Sequence, residues 1–388
     1  MAPPGAIPQG YDGVPSSFMK KIPVPDGEDS NTRAITIFIS YLLLCFSLTV
    51  FIVLKLLKTY VVLSKSRTAR PPPRKHVVLF TLLAVLSLVT TWYHMFDYFQ
   101  YSYKQWLGWR QHYELSPSQK HWGLWLRNTS LFREAWEITV VGYARYWWTH
   151  QIFFFACALG LDLERLGVPR GIKHTWVFML LGQIVAISFA TNLFLLAVIL
   201  SPPAVIPAPS AGTNQKKLLG PIISLLATLA TTIPAYKLAD DHYWHHDTDF
   251  MPMLLLPHIA LMVLPVVRGF LPAKAMHDYT PGFTDTVYKW LWRATASGGL
   301  TLLAWQTRRT YNYGGAGGIL SAIFEHPAVS SVGCDVIFCW LTWYFWWFTQ
   351  KDAESNAREF DEGGERDSWA GSGTAIAGGE VKSEVRRR

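Results

Sequence analysis

Apolar residues run through this chain in long blocks, and the gaps between charged residues measure them. Arg33 to Lys55 encloses 21 uncharged residues, Lys75 to Asp97 another 21, Lys217 to Lys237 a further 19, and Lys173 to Lys216 a longer run. A helix rises about 1.5 Å per residue, so roughly 20 apolar residues cross the ~30 Å hydrocarbon core of a bilayer. These four stretches predict spanning helices. Arg145 to Asp162 and Asp249 to Arg268 are shorter candidates, and Arg293 to Arg308, with 14 residues between its charges, is the doubtful one. Glu325 to Lys351 is apolar and tryptophan-rich, is broken once by Asp335, and predicts the last span. The pattern predicts an all-α polytopic membrane helix bundle with seven or eight transmembrane helices.

Polar segments flank the bundle. Residues 1–33 are polar, contain Pro and Gly, and lack the short apolar run of a cleavable signal peptide, so the first span is expected to act as a signal anchor. The transmembrane domain is expected over 34–350. Residues 351–388 are charged and Gly/Ser-containing, and are expected to form a disordered tail. Ser201 to Pro209 reads as a Pro-rich connector and Tyr311 to Gly318 as a Gly-rich turn, both expected to break helices. No internal repeat of the inverted-repeat transporter kind is visible.

Composition agrees with the pattern. Half the residues are hydrophobic and only 16% are charged, too apolar for an ordinary water-soluble domain. The net charge of +8 suggests nucleic acid at first sight, but the basic residues gather at span ends, which excludes that partner in favour of membrane orientation. Lys55, Lys58, Lys65, Arg67, Arg70, Arg74 and Lys75 follow the first span with no acid among them, so this loop is expected in the cytosol. The N-terminus and the loop from Tyr98 to Arg145 then face the lumen of an endomembrane, the endoplasmic reticulum or another. In that loop Asn128-Thr129-Ser130 is a glycosylation sequon. Cys45, Cys157, Cys334 and Cys339 all lie in apolar spans, where thiols act as small hydrophobes, and no disulfide framework is expected.

Candidate chemistry rests on polar groups within or beside the spans. An ionisable group at membrane depth costs roughly 2.5–3.5 kcal/mol, so Asp335 needs a partner or a purpose. It reads either as a helix–helix hydrogen bond, with Asn192 a possible partner, or as a proton donor. Glu137 sits four residues from Arg133, the spacing of a helical ion pair, and is otherwise a second acid. Asp97 lies three residues from His94 among aromatics that suit either an interfacial belt or a ligand site. Gln183, Ser188 and Asn192 supply uncharged polar groups to the fourth span, for interhelical bonds or a cavity wall.

His242, His245 and His246 give the H-x-x-H-H spacing of membrane di-iron enzymes. Two coordination shells need several such boxes and this chain has one, so no metal and no cofactor are expected. Aromatic residues make up 15% of the chain. Ring faces stabilise positive charge, by about 0.5–2 kcal/mol per contact. A buried acid with an aromatic cavity is compatible with proton-initiated polyene cyclisation, and equally with carriage of a lipid.

The stretch Leu159-Gly160-Leu161-Asp162-Leu163-Glu164, with Val168-Pro169-Arg170 and then Met179 to Phe194, resembles multi-span membrane proteins of fungal secondary metabolism. His326-Pro327-Ala328-Val329-Ser330-Ser331-Val332-Gly333-Cys334-Asp335-Val336 is similar to the same group. The resemblance covers roughly 128 to 350 and includes the transmembrane terpene cyclases of meroterpenoid pathways. It implies an isomerase that closes rings on a farnesyl or epoxy-farnesyl chain, with a hydrophobic prenylated small molecule as substrate and membrane lipid as surroundings. On that reading Asp335 is the preferred acid, with Glu137 or Asp97 as second acid or relay. Asn192 and His258 would orient substrate, and Trp148 and Trp340 would wall the cation. The rivals are a transporter or lipid-binding membrane protein without chemistry, and a metalloenzyme built on the single histidine box.

Overall fold

The computed structural model describes residues 32–65, 73–108, 120–201, 219–244, 248–270 and 281–370. Among these residues there are eleven α-helices and no strand. They are α1 (Thr32–Lys65), α2 (Arg74–Gly108), α3 (Trp122–Asn128), α4 (Leu131–Val140), α5 (Tyr143–Asp162), α6 (Thr175–Ile184), α7 (Ile187–Ile199), α8 (Leu219–Lys237), α9 (Phe250–Phe270), α10 (Pro281–Glu325) and α11 (Pro327–Ala370). Five helices are long and apolar enough to cross a membrane: α1, α2, α8, α9 and α11 over Pro327–Thr349. Their outward faces suit lipid. On α1 only Cys45 and Ile52 are buried, while Ile37, Leu43, Phe46, Leu54 and Val62 are exposed. A contiguous apolar face of that kind is unfavourable in water, whereas a helix in hydrocarbon satisfies its own backbone.

The chain divides into two units, one ending at Thr342 and one starting at Trp343. In the second unit, Tyr344 and Trp347 pack edge-on or tilted against Phe348, with ring centroids 4.7 and 5.1 Å away. Helix α11 continues to Ala370, so residues 351–370 are helical where a disordered tail was expected. Ala, Glu and Arg recur in that stretch and are good helix formers.

The first unit is built around α5 lying antiparallel to α10. Trp147 Nε1 donates to Thr307 Oγ1 at 2.7 Å, and Thr310 Oγ1 donates to the Tyr143 carbonyl at 3.2 Å. Farther along, Gly299 lets the helices touch, since a Cβ there would stand 2.9 Å from Phe154 Cγ. Phe153, Phe154, Tyr146, Leu254 and Leu302 form the core where α5, α9 and α10 meet. The end of α5 continues as a π-helical turn, Leu163–Gly167, which carries Glu164. Arg268 Nε of α9 donates to the buried Glu164 Oε2 at 2.6 Å, and the hydroxyl of Tyr288 on α10 lies 3.4 Å from the same oxygen. The carboxylate thereby ties three helices together.

Two expectations about breaks change. The apolar run after Lys173, expected as one span, is two short helices, α6 and α7, parted at Val185 and Ala186 with neither Pro nor Gly at the break. The Gly-rich turn expected at Tyr311 to Gly318 narrows to one kink at Gly315 inside α10, where φ is +64°, a left-handed value that favours glycine. The connector after Ser201 lies outside the described residues.

Candidate functional site

The α6–α7 break sits deep in the bundle, so its backbone groups need partners from other helices. Ala186 is the N-cap of α7 and has no side-chain acceptor. The carboxylate of Asp335, on α11, supplies it: the N–H groups of Ile187 and Ser188 donate to Oδ2 and Oδ1 at 2.9 and 2.8 Å. At the other side of the break the Ile184 carbonyl, last in α6, accepts from the Tyr41 hydroxyl at 2.8 Å and from the Cys45 thiol at 3.7 Å. An orphaned backbone group in hydrocarbon costs several kcal/mol, so these side chains let the helix break where it does.

The break forms one wall of a cavity of about 620 Å³. That is within the ~300–1,000 Å³ range of sites for drug-sized ligands. Its other walls come from the N-terminal half of α1, the C-terminal half of α2, the middle of α5, α9 and the start of α11, with Leu126 of α3, its C-cap Thr129, and Phe132 and Trp136 of α4. The lining is mostly apolar and aromatic. Among the described residues Asp335 is the only lining residue with a formal charge, no Lys or Arg takes part, and His258 is the only imidazole.

His258 follows Pro257 in α9 and stands edge-on to two rings, Trp136 at 5.7 Å and Phe132 at 6.2 Å between centroids. Its Nδ1 is 2.7 Å from the Leu254 carbonyl. A carbonyl only accepts, so Nδ1 carries a proton and Nε2 is the nitrogen left for a ligand. Asp335, by contrast, has both oxygens occupied as a helix cap.

Gln183 also lines the cavity, whereas the remaining residues singled out by sequence lie apart from it. Glu137 is buried on α4 and accepts from Arg133 Nε at 2.6 Å, which makes it half of an ion pair one turn long. Asp97 is exposed on the far side of α2 from its lining neighbours Tyr98 and Phe99. Asn192 is fully buried on α7 and its Nδ2 donates to the Ser188 carbonyl and to Thr342 Oγ1, at 2.9 and 2.8 Å, so it binds α11 through Thr342 and not through Asp335. Trp148 packs on Ala322, Ile323 and Val336 and donates to the Ile319 carbonyl at 2.8 Å. Trp340 is 46% exposed and donates to Gln151 Oε1 at 2.8 Å. These two indoles hold helices together instead of walling the cavity. Asn128 is half-buried at the end of α3. His242 is exposed in a short 3-10 turn where Asp240 accepts its N–H, while His245 and His246 lie outside the described residues. Among the described residues no group of three or more His, Cys, Asp or Glu is placed to hold a metal.

Sequence reasoning missed Tyr41, Trp136 and the break itself. No local signal marks them: Gln183-Ile184-Val185-Ala186-Ile187-Ser188 is as apolar and β-branched as an unbroken span. Compared with protein-family models, curated proteins and solved structures, the chain matches none.

Proposed function

We propose that this chain is an integral-membrane terpene cyclase of fungal secondary metabolism, acting on a meroterpenoid intermediate with a farnesyl or epoxy-farnesyl chain. The observation that carries the reading is the apolar, ring-lined cavity among the apolar helices, to which the described residues bring one carboxyl, one imidazole and no Lys or Arg. A prenyl chain partitions into the bilayer and fits such a cavity, and ring faces favour the positive charge that develops during closure. His258 is the proton donor on this reading. As imidazolium it gives the Nε2 proton to the epoxide oxygen or terminal olefin, the next double bond attacks the resulting tertiary cation, and loss of a proton ends the sequence. The product is an isomer of the substrate. Asp335 stays with α7 and keeps the cavity wall in place.

The finer topology belongs to the same proposal. Helices α5 and α10 cross together with the five apolar helices, which makes seven crossings in an endomembrane such as the endoplasmic reticulum, while α6 and α7 form a hairpin that enters and leaves on one side, with Phe178 against Phe194 and Phe194 against Gly167 beyond the end of α5. A second reading is favoured by the α6–α7 break, because discontinuous helices line the midplane sites of transporters. It makes the protein a carrier of the same prenylated lipid.

Microsomes containing the protein, fed farnesylated and epoxy-farnesylated phenols, should yield products of unchanged mass and altered retention. His258→Phe should abolish them while the protein accumulates normally. Binding of the same compounds without conversion would favour the carrier. Full turnover by His258→Phe would move the acid elsewhere.

A further inference from the structure

Outside the cavity, α5 and α10 each bury a polar side chain completely: His150 and Gln306, both 0% exposed. His150 Nδ1 lies 2.9 Å from the Tyr146 carbonyl, which fixes its proton there and leaves Nε2 an acceptor. Among the described residues, neither Nε2 of His150 nor Oε1 or Nε2 of Gln306 has a hydrogen-bond partner. Leaving a buried group of this kind unsatisfied forfeits its whole desolvation cost. Three of them in one helix pair need an explanation.

The register of the pair puts them together. Tyr143, Trp147, His150 and Phe154 follow one stripe of α5 at intervals of four, three and four, and three of the four already touch α10 through Thr310, Thr307 and Gly299. On α10, Gly299, Leu302, Gln306 and Thr310 form the answering stripe at intervals of three, four and four. In antiparallel helices side chains lean toward their own N-termini, so His150 leans toward the level of Gln306 and Gln306 toward the level of His150.

We infer that α5 and α10 together bind an internal water molecule that bridges His150 Nε2 and the amide of Gln306. Each of the three atoms gains a partner: water donates one hydrogen to His150 Nε2 and one to Gln306 Oε1, and accepts from one of the two Gln306 amide N–H groups. Three hydrogen bonds are typical of a buried water. The site is independent of the cavity's chemistry, since neither residue lines it. Its role is to link the two central helices at a level where apolar packing alone would strand polar groups.

The test uses the full chain in nanodiscs. A density map fine enough to show ordered waters should have a peak within hydrogen-bonding distance of His150 Nε2 and the Gln306 amide. Gln306→Leu and His150→Phe should each lower the unfolding temperature by about 2–4 °C, and the double variant should lose less than their sum, because the second change removes a partner already stranded. A direct His150–Gln306 bond or no peak in the map would overturn the inference. So would a Gln306→Leu protein more stable than the parent, or additive losses. Should either variant fail to accumulate, the map of the parent decides alone.

Discussion

Asp335 is held by two backbone N–H donors, and this sets what its replacement does. Asn keeps one acceptor oxygen and turns an amide toward the second N–H, so Asp335→Asn should strand a buried donor at the start of α7, a loss of about 1–3 kcal/mol. The expected result is a lower unfolding temperature and lower abundance in membranes. If Asp335→Asn accumulated normally and melted like the parent while losing product, the residue would be the acid that its position in the sequence suggested. A second carboxylate, Asp241, gives a pH prediction. The Tyr143 hydroxyl donates to its Oδ2 at 2.8 Å and holds it below the ordinary aspartate range. A carboxyl depressed by folding stabilises above its unfolded value of about 3.9, and that contribution is lost as pH falls through the lower folded value. Unfolding temperatures measured from neutral pH down through that window should therefore fall less for Tyr143→Phe than for the parent. Parallel curves would rule out the contact.

At the scale of elements, α5 and α10 approach through a glycine whose space is already taken. A methyl at Gly299 would meet Phe154 Cγ at 2.9 Å, whereas at neighbouring Gly298 the nearest atom, Phe154 Cε1, lies at an ordinary 3.7 Å. Gly299→Ala should cost about 1–3 kcal/mol by forcing the helices apart. Gly298→Ala should be close to neutral or gain slightly from helix propensity. Equal melting of the two variants in detergent would show that the interface yields freely. The same element scale accounts for α11 beyond the apolar span: helix formers carry it to Ala370, although composition pointed to disorder.

At the scale of the molecule, the ends of α1 and α2 set orientation. Phe38, near the start of α1, stands 5.2 Å from Phe99 near the end of α2 and 6.3 Å from Trp125 of α3. The N-terminal end of α1 therefore shares a side with Asn128, opposite the seven basic residues between Lys55 and Lys75. By the positive-inside rule Asn128 should be luminal. Single cysteines placed near Asn128 and near Lys65 in a background without the four native ones should label from opposite sides of sealed microsomes. Labelling of the Asn128 position from the cytosolic side would overturn the orientation.

The sequence by itself determined the solvent and the element type. Blocks of about 20 apolar residues force helices, because backbone polar groups in hydrocarbon must be satisfied within the segment. It also singled out Asp335, since one carboxyl in an uncharged span stands out by its insertion cost. Only the tertiary structure decided what that carboxyl does. Asp335 meets Ile187 and Ser188 from about 150 positions away, and a helix break stabilised by a partner on another helix leaves no mark in its own residues. The same holds for the cavity. Phe132, Trp136 and His258 are ordinary belt and span residues until α4 and α9 fold against one another, whereas Glu137, Trp148 and Trp340, at least as conspicuous in the sequence, are consumed in ion pairing and packing. Residue type is written locally, while convergence depends on which helix faces meet, and apolar periodicity fixes a face without naming its partner.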